Sequence, residues 1–144
     1  MINWDTTGRV YPNRFASAAH GGQCYAIFAY NANSATVPLT LSQTLSALDT
    51  RRTYTLRFFW NLFAFTSAQI SSCTITVALG DVVIYTRIVT VADGPRAANW
   101  HEANSIPVVP SSPQQILTVS YTCIALSTGG SSTTFFDDFS LSST

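Results

Sequence analysis

Apolar and polar residues alternate with a period of two along much of the chain. The clearest run is Thr53-Tyr54-Thr55-Leu56-Arg57-Phe58, in which Tyr54, Leu56, Phe58 and then Trp60 fall on one face, expected to be core. The opposite face carries Thr53, Thr55, Arg57, Phe59, Asn61 and Phe63, so it begins polar and becomes aromatic. A second strand is predicted over 39–45, with Gln43 alone among leucines on the apolar face. Residues 23–30 are apolar on both faces, the mark of a central strand. Residues 73–79 alternate, Gly80-Asp81 suits a type II′ hairpin, and a β-branched run follows from Val82 to Val91 until Asp93-Gly94-Pro95 stops it. Residues 107–113, with three prolines, read as loop or edge. Leu117, Val119, Tyr121 and Cys123 share a phase over 116–124, and Gly129-Gly130-Ser131-Ser132 turns the chain into a last strand over 133–141. Seven or eight strands are counted, with no helical period, long repeat or linker. One all-β domain spanning 1–144, a two-sheet antiparallel sandwich, is expected.

Composition narrows the function classes. The apolar set makes up 47% of the 144 residues and the charged set 10%, with zero net charge, which excludes disorder. All seven cations are Arg, dispersed from Arg9 to Arg96, so no basic footprint for nucleic acid exists. The densest apolar run, Phe58 to Phe65, is too short for a membrane-spanning helix. A Ser- and Thr-rich surface without Lys looks extracellular, although no Asn-x-Ser/Thr acceptor for glycosylation occurs.

Taken in order, Ser17-Ala18-Ala19-His20-Gly21-Gly22, Leu41-Ser42-Gln43-Thr44-Leu45, Tyr54-Thr55-Leu56-Arg57-Phe58, Ser72-Cys73-Thr74-Ile75-Thr76-Val77, Trp100, Leu117-Thr118-Val119-Ser120-Tyr121-Thr122-Cys123 and Phe136-Asp137-Asp138-Phe139-Ser140-Leu141 carry a resemblance. The chain resembles the galactose-binding-like jelly-roll sandwich, and within it carbohydrate-binding modules of families four and nine, especially the fungal two-cysteine versions. The resemblance implies a secreted, non-catalytic module that binds a polysaccharide or other glycan on a sheet face. It also implies that Cys73 and Cys123 are bonded to each other, leaving Cys24 over; the residues alone leave open two buried free thiols. Family members set an acid from their first strand beside the first Asp of the closing motif to hold structural calcium. Nothing before Trp4 supplies that acid here, so no metal is expected, with Asp137 the residue to hold one if any does. Asp137 is in phase with Phe135, Phe139 and Leu141, so it is expected to point with the core and to need backbone N–H groups, an Arg or a cation as partner.

The inventory for catalysis is thin. No Gly-x-Ser-x-Gly, His-Glu-x-x-His or Cys-x-x-Cys occurs, and neighbours such as Asp137 and Asp138, or His101 and Glu102, should point to opposite faces of an extended strand. Trp4 and Trp100 read as core plugs before sugar platforms. A sugar ring wants an aromatic face for its C–H patches and planar amide or guanidinium groups for its hydroxyls. Phe59 and Phe63 offer the first and Arg57 and Asn61 the second, with Tyr30 and Tyr85 as outlying candidates. Either this face is open, or a loop covers it and the site moves to the loops around His20 and Trp100. The rival expectation is a structural or adhesive module that self-associates through an unfilled sheet edge.

Overall fold

A computed structural model describes residues 4–13, 19–22, 24–33, 38–94 and 99–144. Ser17, Ala18, Gln23 and Pro95, named above, lie outside them. Among these residues ten strands form: β1 (Asp5–Thr7), β2 (Val10–Asn13), β3 (Tyr25–Asn31), β4 (Leu39–Leu45), β5 (Tyr54–Phe65), β6 (Ile70–Leu79), β7 (Val82–Val89), β8 (His101–Asn104), β9 (Gln115–Ala125) and β10 (Ser131–Ser143). Among the described residues the one helical piece is a 3₁₀ turn at Val91–Asp93. The strands make two five-stranded sheets, ordered β1-β4-β9-β6-β7 and β2-β3-β10-β5-β8, and every pairing is antiparallel. Apart from the adjacent pairs β2–β3 and β6–β7, consecutive strands alternate between the two sheets as in a jelly roll, so the fold is the jelly-roll sandwich that the alternation and the resemblance together imply.

The inward stripes pack as the alternation requires. Leu56, Phe58, Trp60 and Leu62 of β5 meet Cys73, Ile75, Val77 and Leu79 of β6 and Leu117, Val119 and Tyr121 of β9 in one core. Burial pushes the Tyr121 phenol up to about 12, and its hydroxyl is held 2.7 Å from Ser132 Oγ. Cys73 and Cys123 lie directly opposite each other on β6 and β9 and form a disulfide, while Cys24 is free and half-buried. The hairpin between β6 and β7 turns at Gly80, whose φ of +58° places it in the left-handed region.

Four expectations are corrected. Tyr30 is only 8% exposed and Tyr85 packs edge-on against Phe58 at 5.1 Å, so both belong to the core side and not to an outward site. The extra strands β1, β2 and β8 bring the count to ten among the described residues, and β1 pairs with β4 over Thr40–Ser42. The phase of β10 differs as well. Asp137 pairs with Phe59 but Ser140 pairs with Arg57, so β10 carries an extra residue there, and Asp138 sits at φ +51°. This bulge divides the assumed face: Phe136 and Phe139 pack in the main core, whereas Phe135 belongs to a second cluster with Tyr25 and Ile27 on the outer side. Finally, Asp137 and Asp138 do not diverge, since both reach His20, as described next.

Candidate functional site

The outward face of the β2-β3-β10-β5-β8 sheet is built around β5. Arg57 and Phe59 of that strand lie opposite Asn104 and Glu102 of β8, and Phe59 and Asn61 lie opposite Asp137 and Phe135 of β10. At Phe63, β5 has its own bulge, because Thr133 pairs with Ala64 and Thr134 with Leu62. Bulges re-aim side chains, and this one leaves the Phe63 ring stacked on Phe135 at 4.7 Å while still 45% exposed.

A loop covers the middle of the face. His20 stacks on Phe59 with ring centroids 3.6 Å apart and 15° between planes, and Trp100 approaches His20 edge-on at 5.6 Å. Phe59 is therefore only 9% exposed, and Asn61 is fully buried. Neither offers the open platform or the free planar amide expected of it. Trp100 is not the core plug expected either; it is half-buried and packs on the outer cluster of Tyr25, Ile27 and Phe135.

Asp137 anchors this loop. Its Oδ2 accepts the backbone N–H of His20 at 2.9 Å and of Gly21 at 3.2 Å, and its Oδ1 accepts the N–H of Asp138 at 2.9 Å. Burial raises its pKa above the ordinary carboxylate value despite those three donors. Beside it the Asp138 carboxylate meets His20 Nδ1 at 2.8 Å. The two acids thus grip one residue by backbone and by ring. Calcium is held by six to eight oxygens. The Asp137 oxygens face N–H donors instead, a cradle for an anion, and among the described residues no group of three or more His, Cys, Asp and Glu is gathered for a metal. The residues here do not fit calcium.

The polar edge lies on the β8 side. Arg57 donates from Nε to Glu102 Oε1 at 2.9 Å and from a terminal nitrogen to Oε2 at 3.3 Å, a two-pronged pair, while Asn104 donates to Glu102 Oε1 at 3.3 Å. These bonds, Arg57 first, hold the Glu102 carboxyl below its usual value. Arg57 also lies 4.9 Å over the Phe59 ring. Both partners are about half exposed, so the pair adds little stability and chiefly fixes two planar polar groups in place. His101 stacks on inward Trp60 at 4.3 Å, on the other side of β8 from Glu102, so those two residues do not act together.

The face that results keeps Arg57 and Phe63 from the residues expected, buries Phe59 and Asn61, brings in His20 and Trp100 from the alternative expected for a covered face, and adds Glu102 and Asn104. Gly21-Gly22 was a signal for the loop: a Cβ on Gly21 would stand 2.5 Å from Asp138 Oδ2, so the backbone approaches the strand more closely than a side chain permits.

The chain matches no protein-family model and no curated protein. Its fold is shared with several solved structures. The carbohydrate-binding and catalytic modules (CBM22-1-GH10) of the Clostridium thermocellum endo-1,4-beta-D-xylanase 10B, complexed with xylohexaose, superpose with a TM-score of 0.56 at 16% identity over 96% of this chain. This chain spans about a quarter of that one, 26%. A cyclase from Fischerella sp. TAU gives a TM-score of 0.60 at 18% identity, covering 99% of this chain and 85% of the cyclase. The CBM22-1 xylan-binding domain of Paenibacillus barcinonensis Xyn10C gives 0.57 at 15% identity, covering 98% and 85%. At these identities the likeness is one of fold, a β-sandwich of the kind found in carbohydrate-binding modules.

Proposed function

We propose that residues 1–144 are a single, non-catalytic glycan-binding module of a secreted protein, of the family four and nine type read from its motifs. The observation that carries this reading is the outward face itself: an exposed ring at Phe63, a ring pair of His20 and Trp100, and a fixed row of Arg57, Glu102 and Asn104. Rings suit the C–H faces of sugars, and the planar polar row suits paired hydroxyls. Phe63 is four residues along β5 from Phe59, on which His20 rests, a span of roughly 13 Å at the rise of a strand. That spacing favours an oligosaccharide over a single sugar. Xylohexaose and xylan, bound by two of the fold's neighbours, are the first probes. An intramolecular disulfide agrees with an oxidising, extracellular setting.

The test is affinity electrophoresis in gels containing xylan, β-glucan or mannan, followed by calorimetry with the matching oligosaccharide. Retardation by one polysaccharide, reduced by Trp100→Ala, supports the reading. No retardation by any of a broad glycan panel overturns it. One observation favours the self-associating rival: Val83 (51% exposed), Ile88 (62%), Ile116 (53%) and Ile124 (62%) are apolar residues on the outward side of the other sheet. Light scattering across concentration decides that reading, which predicts a mass rising above 15.6 kDa.

A further inference from the structure

The two sheets part at one end of the sandwich and leave a cavity of about 400 Å³, open on one side and within the ordinary size range of small-molecule sites. None of Arg57, Phe59, Phe63 and Trp100 lines the cavity, although Tyr25, Asp137 and Asp138, which support the outward face, do. Leu56 and Leu117, one from each sheet, form apolar walls. Four aromatic residues also line it: Trp4, Tyr25, Phe136 and Phe139. Phe139 lies 5.4 Å from Trp4, tilted at 46°, and 6.5 Å from the nearly parallel Phe136, an aromatic lining that a flat molecule can join.

Polar groups are few and local. Gln43 pairs with Leu117 across β4 and β9, so it shares the inward face, and among the described residues its amide has no hydrogen-bond partner. This is the residue that stood alone among leucines in the sequence pattern. The lining includes Asp137 and Asp138 but no Arg or His, which disfavours an anionic ligand. We propose that this cavity binds a small, neutral, planar aromatic molecule bearing one hydroxyl or N–H group, with its ring against the cavity side of the Trp4–Phe139 pair and the polar group on the Gln43 amide.

Cys24 lines the same cavity and is the one cysteine outside the disulfide, so it reports on occupancy. Native protein is treated with monobromobimane, and the rate of Cys24 labelling is followed with increasing 2-naphthol. Labelling should slow saturably, by about tenfold at ten times the dissociation constant, as occupancy of a single site requires. Equal concentrations of 2-naphthoate or xylohexaose should leave the rate unchanged. Leu141→Trp fills the cavity from its half-buried rim and should abolish the protection; Leu45→Trp does the same from the opposite sheet should the first variant not fold. Four results overturn the proposal: a Cys24 thiol that does not react in the native protein, no saturable protection by 2-naphthol, equal protection by 2-naphthoate, or protection that survives in a folded Trp variant.

Discussion

Phe59 and Phe63 share the outward side of β5, and alternation alone gives them the same role. The structure separates them. Phe59 is 9% exposed, capped by His20 at 3.6 Å and flanked by Arg57 at 4.9 Å, while Phe63 is 45% exposed on Phe135. Truncating a buried Phe to Ala costs about 3–5 kcal/mol, and a ring in a shallow cluster beneath a loop belongs at the low end, near 3. For a domain of 144 residues each kcal/mol moves the melting temperature by roughly 2–4 °C, so Phe59→Ala should melt about 6–12 °C lower. Phe63→Ala forfeits one half-exposed stack, about 1 kcal/mol, and should melt only about 3 °C lower. In binding the order reverses: Phe63→Ala should weaken the best glycan by about 1–3 kcal/mol, the range for losing an aromatic anchor. Calorimetric melting and titration of both variants give the four numbers. A Phe59→Ala protein that melts like wild type would show that the His20 loop does not cover that ring. A Phe63→Ala protein with unchanged affinity would remove its ring from the site.

Three other outcomes follow. Replacing both Cys73 and Cys123 by Ala frees a loop of 50 residues, worth about 4 kcal/mol in the loop-entropy model, and should lower the melting temperature by roughly 8–16 °C; a scanning-calorimetry loss under about 3 °C would contradict it. Because the Asp137 oxygens face N–H donors, adding a calcium chelator should leave the melting temperature unchanged, and a collapse would show that a cation is held after all. Burial works to raise the Asp93 carboxyl, but the Thr90 N–H and the Arg87 guanidinium outweigh it and hold the group below its ordinary value. Its stabilisation is therefore present above the unfolded pKa and lost as pH falls through the folded one, whereas Asp137, raised by burial, loses stability as pH rises through its window. Melting profiles of Asp93→Asn and Asp137→Asn over about pH 3 to 6 should thus depart from wild type with opposite slopes, and parallel profiles would refute the assignment.

The strands β4, β5, β6 and β9 were legible because each buries one face, which writes a period of two into the sequence. β8 was not legible, since its inward residues are His101 and Ala103 and His-Glu-Ala-Asn carries no apolar rhythm. β1 and β2 are three and four residues long, too short for any pattern to emerge. Tyr30 and Tyr85 were misplaced because they were read as strand-end residues, whereas Tyr30 lies within β3 and Tyr85 in the middle of β7, where their strands turn them to the core. The cover over Phe59 was invisible to periodicity, because His20 and Gly21 are held by bonds to acids more than a hundred positions away.

That cover depends on an irregularity no alternation can show. Had β10 continued without its extra residue, Asp137 and Asp138 would face opposite sides and only one could reach the loop. With the bulge at Asp138, three backbone N–H groups converge on Asp137 while the neighbouring carboxylate takes the His20 ring. His20 is thereby fixed over Phe59 and beside Trp100, and the rings of the outward face acquire their positions from a displaced acid rather than from the β5 strand that carries the aromatic pattern. The same two acids line the cavity at the sandwich end. One inserted residue in the last strand therefore positions the loop of the outward site and shapes one side of the inner one. This is why the closing Phe-Asp-Asp-Phe motif was the most informative part of the sequence, and why its phase misled when read as a regular strand.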